Sequence, residues 1–527
     1  MLEGGWSFGH AFLYVEPMNR FFVCLLLAFA PYHLSAQQVE PGTIPWTPVI
    51  DTGLVRVQID VPPKFAALNL DPNVHFVYLP KGWTASVFYA GQSLNKPRFM
   101  AWGPDSVLFV ANMNRNNVLA LPDVDKDGIA DDAIVATTTS AECHDIAFFH
   151  DTLYLSQEAG VTRTWRSTPG GYQYNNREVL IDKSGIPVQI GGGHRTRTLV
   201  LDTAHRKVYV SVGSRGNADR EVDRALIEEF NWDGSGRRIF ASGIRNAVGM
   251  TLHPRTGKLW ANNNGSDLLG DNLPPEWFDI VRDGGFYGYP IAHHHQVYVD
   301  FTKQGYGDLL PITAQDSANV RSMVPPAGLI WAHCAPMAVE FSHDGMPAPY
   351  QHGAFMALRG SWNRQPISGS KIVYFAFDDD ADTIANAVYD FCTGFLQDSN
   401  NVGSRWARPV GLALASDGSI YVSSDDLKQF ILKLTPPRST SVGEGADHGL
   451  LEIEVEPNPA SDTFTVHTFD QEQPSHLDVF DLDGRKITSM SGTGDITVST
   501  SMLTSGSYIV QVSRNGSSTT RQLQVLK

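Results

Sequence analysis

RPVGLALASDGSIYVSSDD, Arg408–Asp426, reads as a short apolar strand, a tight turn at Asp417-Gly418 and a second apolar strand. The alternation in LALASDGSIYVSS predicts half-buried strands joined as a hairpin. Degenerate copies of this unit recur upstream: PRFMAWGPDSVLFVAN from Pro97, CHDIAFFHDTLYLSQ from Cys143, HRTRTLVLDTAHRKVYVSVG from His194, RNAVGMTLHPRTGKLWANN from Arg245 and PMAVEFSHDG from Pro336. The early copies start about fifty residues apart, the spacing of propeller blades of four strands each. Six copies predict an all-β fold, a six-bladed β-propeller, in which radial closure protects most strand edges. A β-sandwich array is the competing architecture. Wider gaps after Asn246 and Pro336 leave room for long loops on one face.

The bulk composition agrees. The 527 residues include 47 Gly and 31 Pro, with 42% hydrophobic and only 18% charged residues. This suits one large, turn-rich β domain plus a smaller module. A net charge of −16 argues against nucleic-acid binding and against docking on anionic membranes.

From Met18 the chain reads MNRFFVCLLLAFAPYHLSA, one Arg, an apolar run Phe21–Ala30, then Ser35 and Ala36 before Gln37. This pattern predicts an export signal over residues 1–36, with Met18 as the expected start and a membrane anchor as the alternative. No other stretch is apolar over a bilayer-spanning length, so no transmembrane segment is expected in the mature chain. Cys143, Cys334 and Cys392 remain after the signal; Cys334 and Cys392 could pair in an oxidising compartment. There is no CxxCH, the signature of a covalently attached haem.

Residues 37–75 form an N-terminal extension and residues 76–437 the propeller, by this reading. After Pro436-Pro437, residues 438–450 form a polar linker. Residues 451–527 contain no Trp and many Ser and Thr, and predict a small β-sandwich-like module. VEPNPASDTFTV, LDVFDLDGRKI and LTSGSYIVQVSRNGSSTTRQLQVLK within it resemble, in order, the C-terminal sorting domain of the type IX secretion system. That resemblance implies secretion machinery as a partner, passage through the periplasm and across an outer membrane, and a secreted or surface-attached product.

Several blade-end segments are more polar than a structural ring needs. GGGHRTRTLVL carries His194, Arg195 and Arg197, ASGIRNAVGM carries Arg245 and Asn246, ALRGSWNR carries Arg359, and SRWARPVG carries Arg405 and Arg408. One His and several Arg from different blades would converge near the axis, a set suited to a planar polyanion because each guanidinium can grip a carboxylate bidentately. The segments GGHRTRTL, SVGSRGN, SGIRNAVG, RDGGFYGYP, RGSWNR and RPVGLALASDGSIYVS are similar, in order, to those of the soluble glucose/sorbosone dehydrogenase family, especially its sorbosone-dehydrogenase-like branch.

The resemblance implies a quinoprotein that holds pyrroloquinoline quinone (PQQ) and Ca²⁺, oxidises a sugar or aldehyde, and passes electrons to an external acceptor. Carried over by residue, His194 is the general base and Arg245 stabilises charge on the reacting oxygen. Asn246, Arg359, Arg408, Arg197 and Asn217 contact the cofactor, and the carbonyls of Gly265 and Ser266 bind its calcium. Two departures bear on substrate: Gly193 stands where glucose-oxidising members have Asp, and Trp406 takes the place of a second carboxylate-binding Arg.

DVDKDGIADD, with Asp123, Asp125, Asp127 and Asp131 around Gly128, has calcium-loop spacing without the Glu at position twelve. It is expected to be a structural Ca²⁺ site at the propeller edge. His293-His294-His295 is expected to line the substrate cleft, and Trp277, Tyr287, Tyr289 and Trp362 are candidates to wall it. A calcium-dependent propeller hydrolase or lactonase, or a non-catalytic binding propeller, are the alternatives in function.

Overall fold

The turn at Asp417-Gly418 forms as the sequence requires: Gly418 adopts φ +80°, and Ser419 N donates to Asp417 Oδ1 at 2.9 Å. Its flanking strands, Ala407–Leu414 and Ile420–Leu427, pair antiparallel. Residues 420–425 are nevertheless buried without alternation. Each sheet packs between two neighbours, so both of its faces are covered and the polar-out pattern of a half-exposed sheet is lost.

The computed structural model describes residues 46–47, 49–50, 53–378, 383–437, 453–468, 474–480, 486–514 and 517–527. The expected export signal and the linker at 438–450 lie outside the described residues. The chain is all-β in character, with one α-helix, Ala314–Arg321, among the described residues. None of the described helices is long and apolar enough to cross a membrane.

Each of the six quoted segments supplies the first strand, or the strand immediately after it, of one sheet. These inner strands are Pro97–Trp102, Cys143–Phe149, Leu199–Asp202, Met250–Leu252, Pro336–Phe341 and Ala407–Leu414. Each contacts the next, and the last contacts the first, so the sheets close into a ring. Closure is made by strands far apart in sequence: Thr84–Tyr89 pairs with Phe430–Thr435 and completes the sixth sheet. Val55–Asp60 and Phe76–Leu79 extend that sheet, while Val49–Ile50 adds to the edge of the fifth. The strands described before residue 76 are thus woven into the ring.

Across the closing seam, Val87, Phe88, Phe391, Ile431 and Leu432 share one core and are at most 1% exposed. Burying a side chain of this kind contributes about 1.5–3 kcal/mol. Cys143, Cys334 and Cys392 are buried free thiols, so the disulfide that Cys334 and Cys392 allowed is not formed.

Downstream, Ile453–Glu456, Thr463–Thr468 and Ile496–Ser499 form one sheet, and four strands between Pro474 and Val525 form another. Phe464, Val466 and Val498 from the first meet Leu477, Val510 and Val512 from the second in a single apolar cluster.

Candidate active site

The polar residues at the starts of the inner strands gather on one face of the ring. His194 sits just before the third inner strand, in a loop clamped from below by two buried guanidiniums. Arg224 donates to the carbonyls of Val188, Gly191, Gly213, His194 and Ser214, and Arg197 donates to those of Gln189, His194 and Thr196. Arg197 has no exposed surface. It supports the loop that carries His194 instead of making the cofactor contact expected from sequence.

His194 Nδ1 lies 3.0 Å from Ser214 O and 2.9 Å from Ser214 Oγ, and that hydroxyl donates to Gly216 O at 2.7 Å. A carbonyl only accepts, so Nδ1 must carry the proton and Nε2 keeps a lone pair. Burial, then Arg245, and further Arg224 and Arg197, push the imidazole pKa down to about 3, against the weaker opposing hydrogen bond from Ser214. The ring is therefore a neutral acceptor at ordinary pH.

Arg245 is 5% exposed, and all of its nitrogens are held. Nε donates to Asn217 O at 3.0 Å, one terminal nitrogen to Gly265 O at 2.7 Å, and the other to Asn217 Oδ1 at 3.0 Å and Asp267 Oδ2 at 2.8 Å. Asn217 is thus the bracket for Arg245, since its Oδ1 also accepts from Asp267 N. Asn363 Nδ2 reaches Asp267 Oδ1, tying the Trp362 loop to the same cluster. Asn246 follows Arg245, and its amide and the His194 Cβ converge on Gly213, where a Cβ would stand 2.5 Å from Asn246 Oδ1 and 2.6 Å from His194 Cβ. Gly213→Ala is therefore expected to keep the fold but cost about 10²-fold in turnover, measured as kcat against circular dichroism, because a displacement of this size misplaces a reacting group.

On the opposite side, sheets one, five and six bring together Arg98, Arg359, Arg405 and Arg408. Asp425, whose side chain has no exposed surface, binds Arg98 at 2.5 Å and Arg359 at 2.9 Å. Burial alone would raise Asp425, but the two guanidiniums outweigh it and hold its carboxyl below the usual range. Arg408 donates to the carbonyls of Arg359 and Gly360. A second carboxylate, Asp426, stands 3.5 Å from Arg359 and 3.7 Å from Arg408. Four guanidiniums against two carboxylates leave positive charge uncompensated; burial, with Arg359 and Arg405 adding, lowers Arg408 to about 9. The buried Arg405 Nε has no partner. A polyanion satisfies both conditions. Sequence reading missed Arg98 and Asp425; the available signal was that Arg98, like Arg408, is a charge at the start of an inner strand.

Beside Arg245 a cavity is lined by Gly265, Ser266, Trp277, Tyr287, Tyr289 and His293. Trp277 stacks on Tyr287 with centroids 5.1 Å apart. His294 lines it too, whereas Trp362 is 71% exposed and stands outside it. Gly265 N donates to the buried Glu276, which holds this loop down. Arg245 uses one lone pair of Gly265 O, so that carbonyl retains capacity for a hard cation. At the ring's edge, carboxylate oxygens of Asp123, Asp125 and Asp127 lie within 4.8 Å of one another. Asp131 instead accepts from Val124 N at 2.7 Å and shapes the loop.

A closed ring of mainly antiparallel sheets with a cluster of Arg and a buried His on one face defines the class: an all-β ring protein with a basic, His-bearing face. Residues 77–433 match the family model described as TrAA12-like, and the chain belongs to that family. Residues 454–526 match the secretion system C-terminal sorting domain. The chain is 25% identical over 337 residues to a pyrroloquinoline quinone-dependent pyranose dehydrogenase of Coprinopsis cinerea, a match that covers 53% of this chain and 44% of that one. It thus spans less than half the length of that relative. In fold it is similar to the holo PQQ domain of the Coprinopsis cinerea pyranose dehydrogenase, with TM-score 0.58, 21% identity, and coverage of 72% of this chain and 100% of that one. A calcium structure of a Trichoderma reesei AA12 enzyme matches with TM-score 0.58, 21% identity, and coverage of 70% and 98%. The sorting domain gives the chain a secretion route, to the cell surface or beyond.

Proposed function

We propose that this chain is a secreted or surface-attached PQQ- and calcium-dependent dehydrogenase, built on a six-bladed propeller, that oxidises an aldose, a sorbosone-like aldehyde or a related sugar. The observation that carries the reading is His194: its proton is fixed on Nδ1 by the Ser214 carbonyl, and Nε2 is a bare acceptor on the same face as the uncompensated guanidiniums.

When bound, PQQ would supply an electrophilic carbonyl able to accept a hydride and to pass the electrons to an external acceptor. Arg359, Arg405 and Arg408 would grip its carboxylates, with Arg98 and Asp425 keeping Arg359 in place. Gly265 and Ser266 carbonyls would hold Ca²⁺ beside it, using the lone pair that Arg245 leaves on Gly265 O. His194 Nε2 would take the proton of the hydroxyl on the carbon that is oxidised. Arg245 sets a fixed positive charge, already oriented by Asn217 and Asp267, near the oxygen where negative charge develops. Gly193 leaves the base without a neighbouring carboxylate, which favours substrates other than glucose. The loop of Asp123, Asp125 and Asp127 would take a second, structural Ca²⁺.

The test is dye reduction by the purified full chain with PQQ, Ca²⁺ and a panel of aldoses and aldehydes. Reduction that needs both additions supports the reading; a chain that does not bind PQQ at all overturns it and favours a hydrolase or a binding propeller. The low His194 pKa carries a further expectation. Protonation of the base is delayed to about pH 3, so kcat/KM should show no inflection near 6.5, the ordinary His value. A pH–rate profile with an acid limb at 6–7 assigned to His194 would contradict it. The sign for stability is opposite: below pH 6.5 the unfolded chain takes up a proton that the native His194 refuses, so this group destabilises the fold as pH falls toward 3.

A further inference from the structure

A second cavity lies between the His194 loop and the starts of the first two sheets, lined by Met113, Asn116, Glu142, His144, Glu158 and Arg195. His144 is 1% exposed and packs against Phe99, with ring centroids 4.4 Å apart. Arg98 Nε donates to its Nδ1 at 3.1 Å. A guanidinium has only donors, so Nδ1 is the accepting nitrogen and the ring proton sits on Nε2. Burial, with Arg98 and Lys96 adding, keeps the ring neutral. Nε2 is itself buried and has no hydrogen-bond partner. A buried donor without an acceptor is costly, and the cavity is the place from which an acceptor can come.

The other walls state what kind of acceptor. Glu142 and Glu158 accept, Arg195 donates, and Asn116 does both. Arg195 and Glu142 pair at 3.2 Å with side chains 51% and 35% exposed, so both can be reached from solvent. Glu158 Oε1 accepts from Gly191 N at 2.6 Å, which joins this wall to the loop ending in His194. Two carboxylates repel an anion, and the predominance of polar walls excludes an apolar ligand. A group that both donates and accepts fits all of them, and the commonest such group on an uncharged ligand is a sugar hydroxyl.

We propose that this cavity is a second saccharide subsite, in which His144 Nε2–H donates to a sugar oxygen and Glu142 and Glu158 accept from neighbouring hydroxyls. Arg195 and Thr196 line it directly after His194, so the subsite holds the ring next to the one that reacts, and the substrate class is an oligosaccharide. The inference takes its sugar class from the proposed function but does not depend on the quinone.

The test is isothermal titration of the full chain, without added quinone, with cellobiose and with glucose, alongside separate titration with PQQ. Wild type should bind cellobiose more tightly than glucose. His144→Phe and Glu158→Gln should each weaken cellobiose binding about tenfold or more, the effect of losing a hydrogen bond in a closed site, with PQQ affinity within about twofold. Glu158→Gln preserves shape and does not touch Arg98, so it reads the subsite even where His144→Phe fails to fold. Equal binding of the two sugars by wild type, or wild-type cellobiose affinity in Glu158→Gln, overturns the proposal. Loss of PQQ binding in place of sugar binding in His144→Phe also overturns it, by assigning that donor to the cofactor. Cellobiose binding by a chain that takes up no PQQ supports the subsite and sinks the quinone reading instead.

Discussion

In His194→Ala, kcat with PQQ and Ca²⁺ present is expected to fall by about 10²–10⁴-fold, the usual contribution of a positioned general base. PQQ affinity should change little, because the guanidiniums proposed to grip its carboxylates stand on sheets five and six while His194 precedes sheet three. His194→Gln separates two parts of the argument. It keeps a polar group near Ser214 but offers no basic nitrogen, so it should be as slow as the alanine variant. Stopped-flow reduction of the bound quinone by sugar reads the step directly; a variant as fast as wild type would remove His194 from the chemistry.

The second large effect is on stability and lies at Asp425. Asp425→Ala leaves Arg98 and Arg359 without their shared carboxylate, and removing one partner of a buried ionic group costs about 3–5 kcal/mol because the remaining charge is uncompensated. Chemical denaturation should show that loss, and the rise in melting temperature on adding PQQ should disappear with it. Asp426→Asn is the comparison. Its carboxylate is half exposed and stands 3.5 Å and 3.7 Å from its partners, so its removal should change stability by no more than about 1 kcal/mol. Equal effects at the two positions would mean that burial does not set the strength of this network.

Much of this was legible in the chain. The six quoted segments each open a sheet, and each was visible as an apolar strand with polar residues clustered at its start. His194, Arg245, Arg359 and Arg408 announced themselves as charges beside such strands. What the sequence hid was pairing over distance. Arg98 and Asp425 are 327 positions apart and meet only because the ring closes. His144 looked like an ordinary strand opening, since nothing local says that Arg98 will fix its tautomer. Arg197 was misread for the reverse reason: a guanidinium facing carbonyls beneath a loop has the same letters around it as one facing a ligand. The half-buried alternation at 412–424 failed because a sequence does not say how many neighbours a sheet will have.

The clasp between Thr84–Tyr89 and Phe430–Thr435 also sets a timetable. A ribosome finishes the first of these strands more than three hundred residues before the second, and until then one sheet edge stands open to any passing strand. The chain must travel or wait with that edge guarded. The sorting module lies beyond the second of these strands in the chain, so it is spelled out after both halves of the clasp. A chain cut short before its ring can shut therefore lacks the sorting module as well.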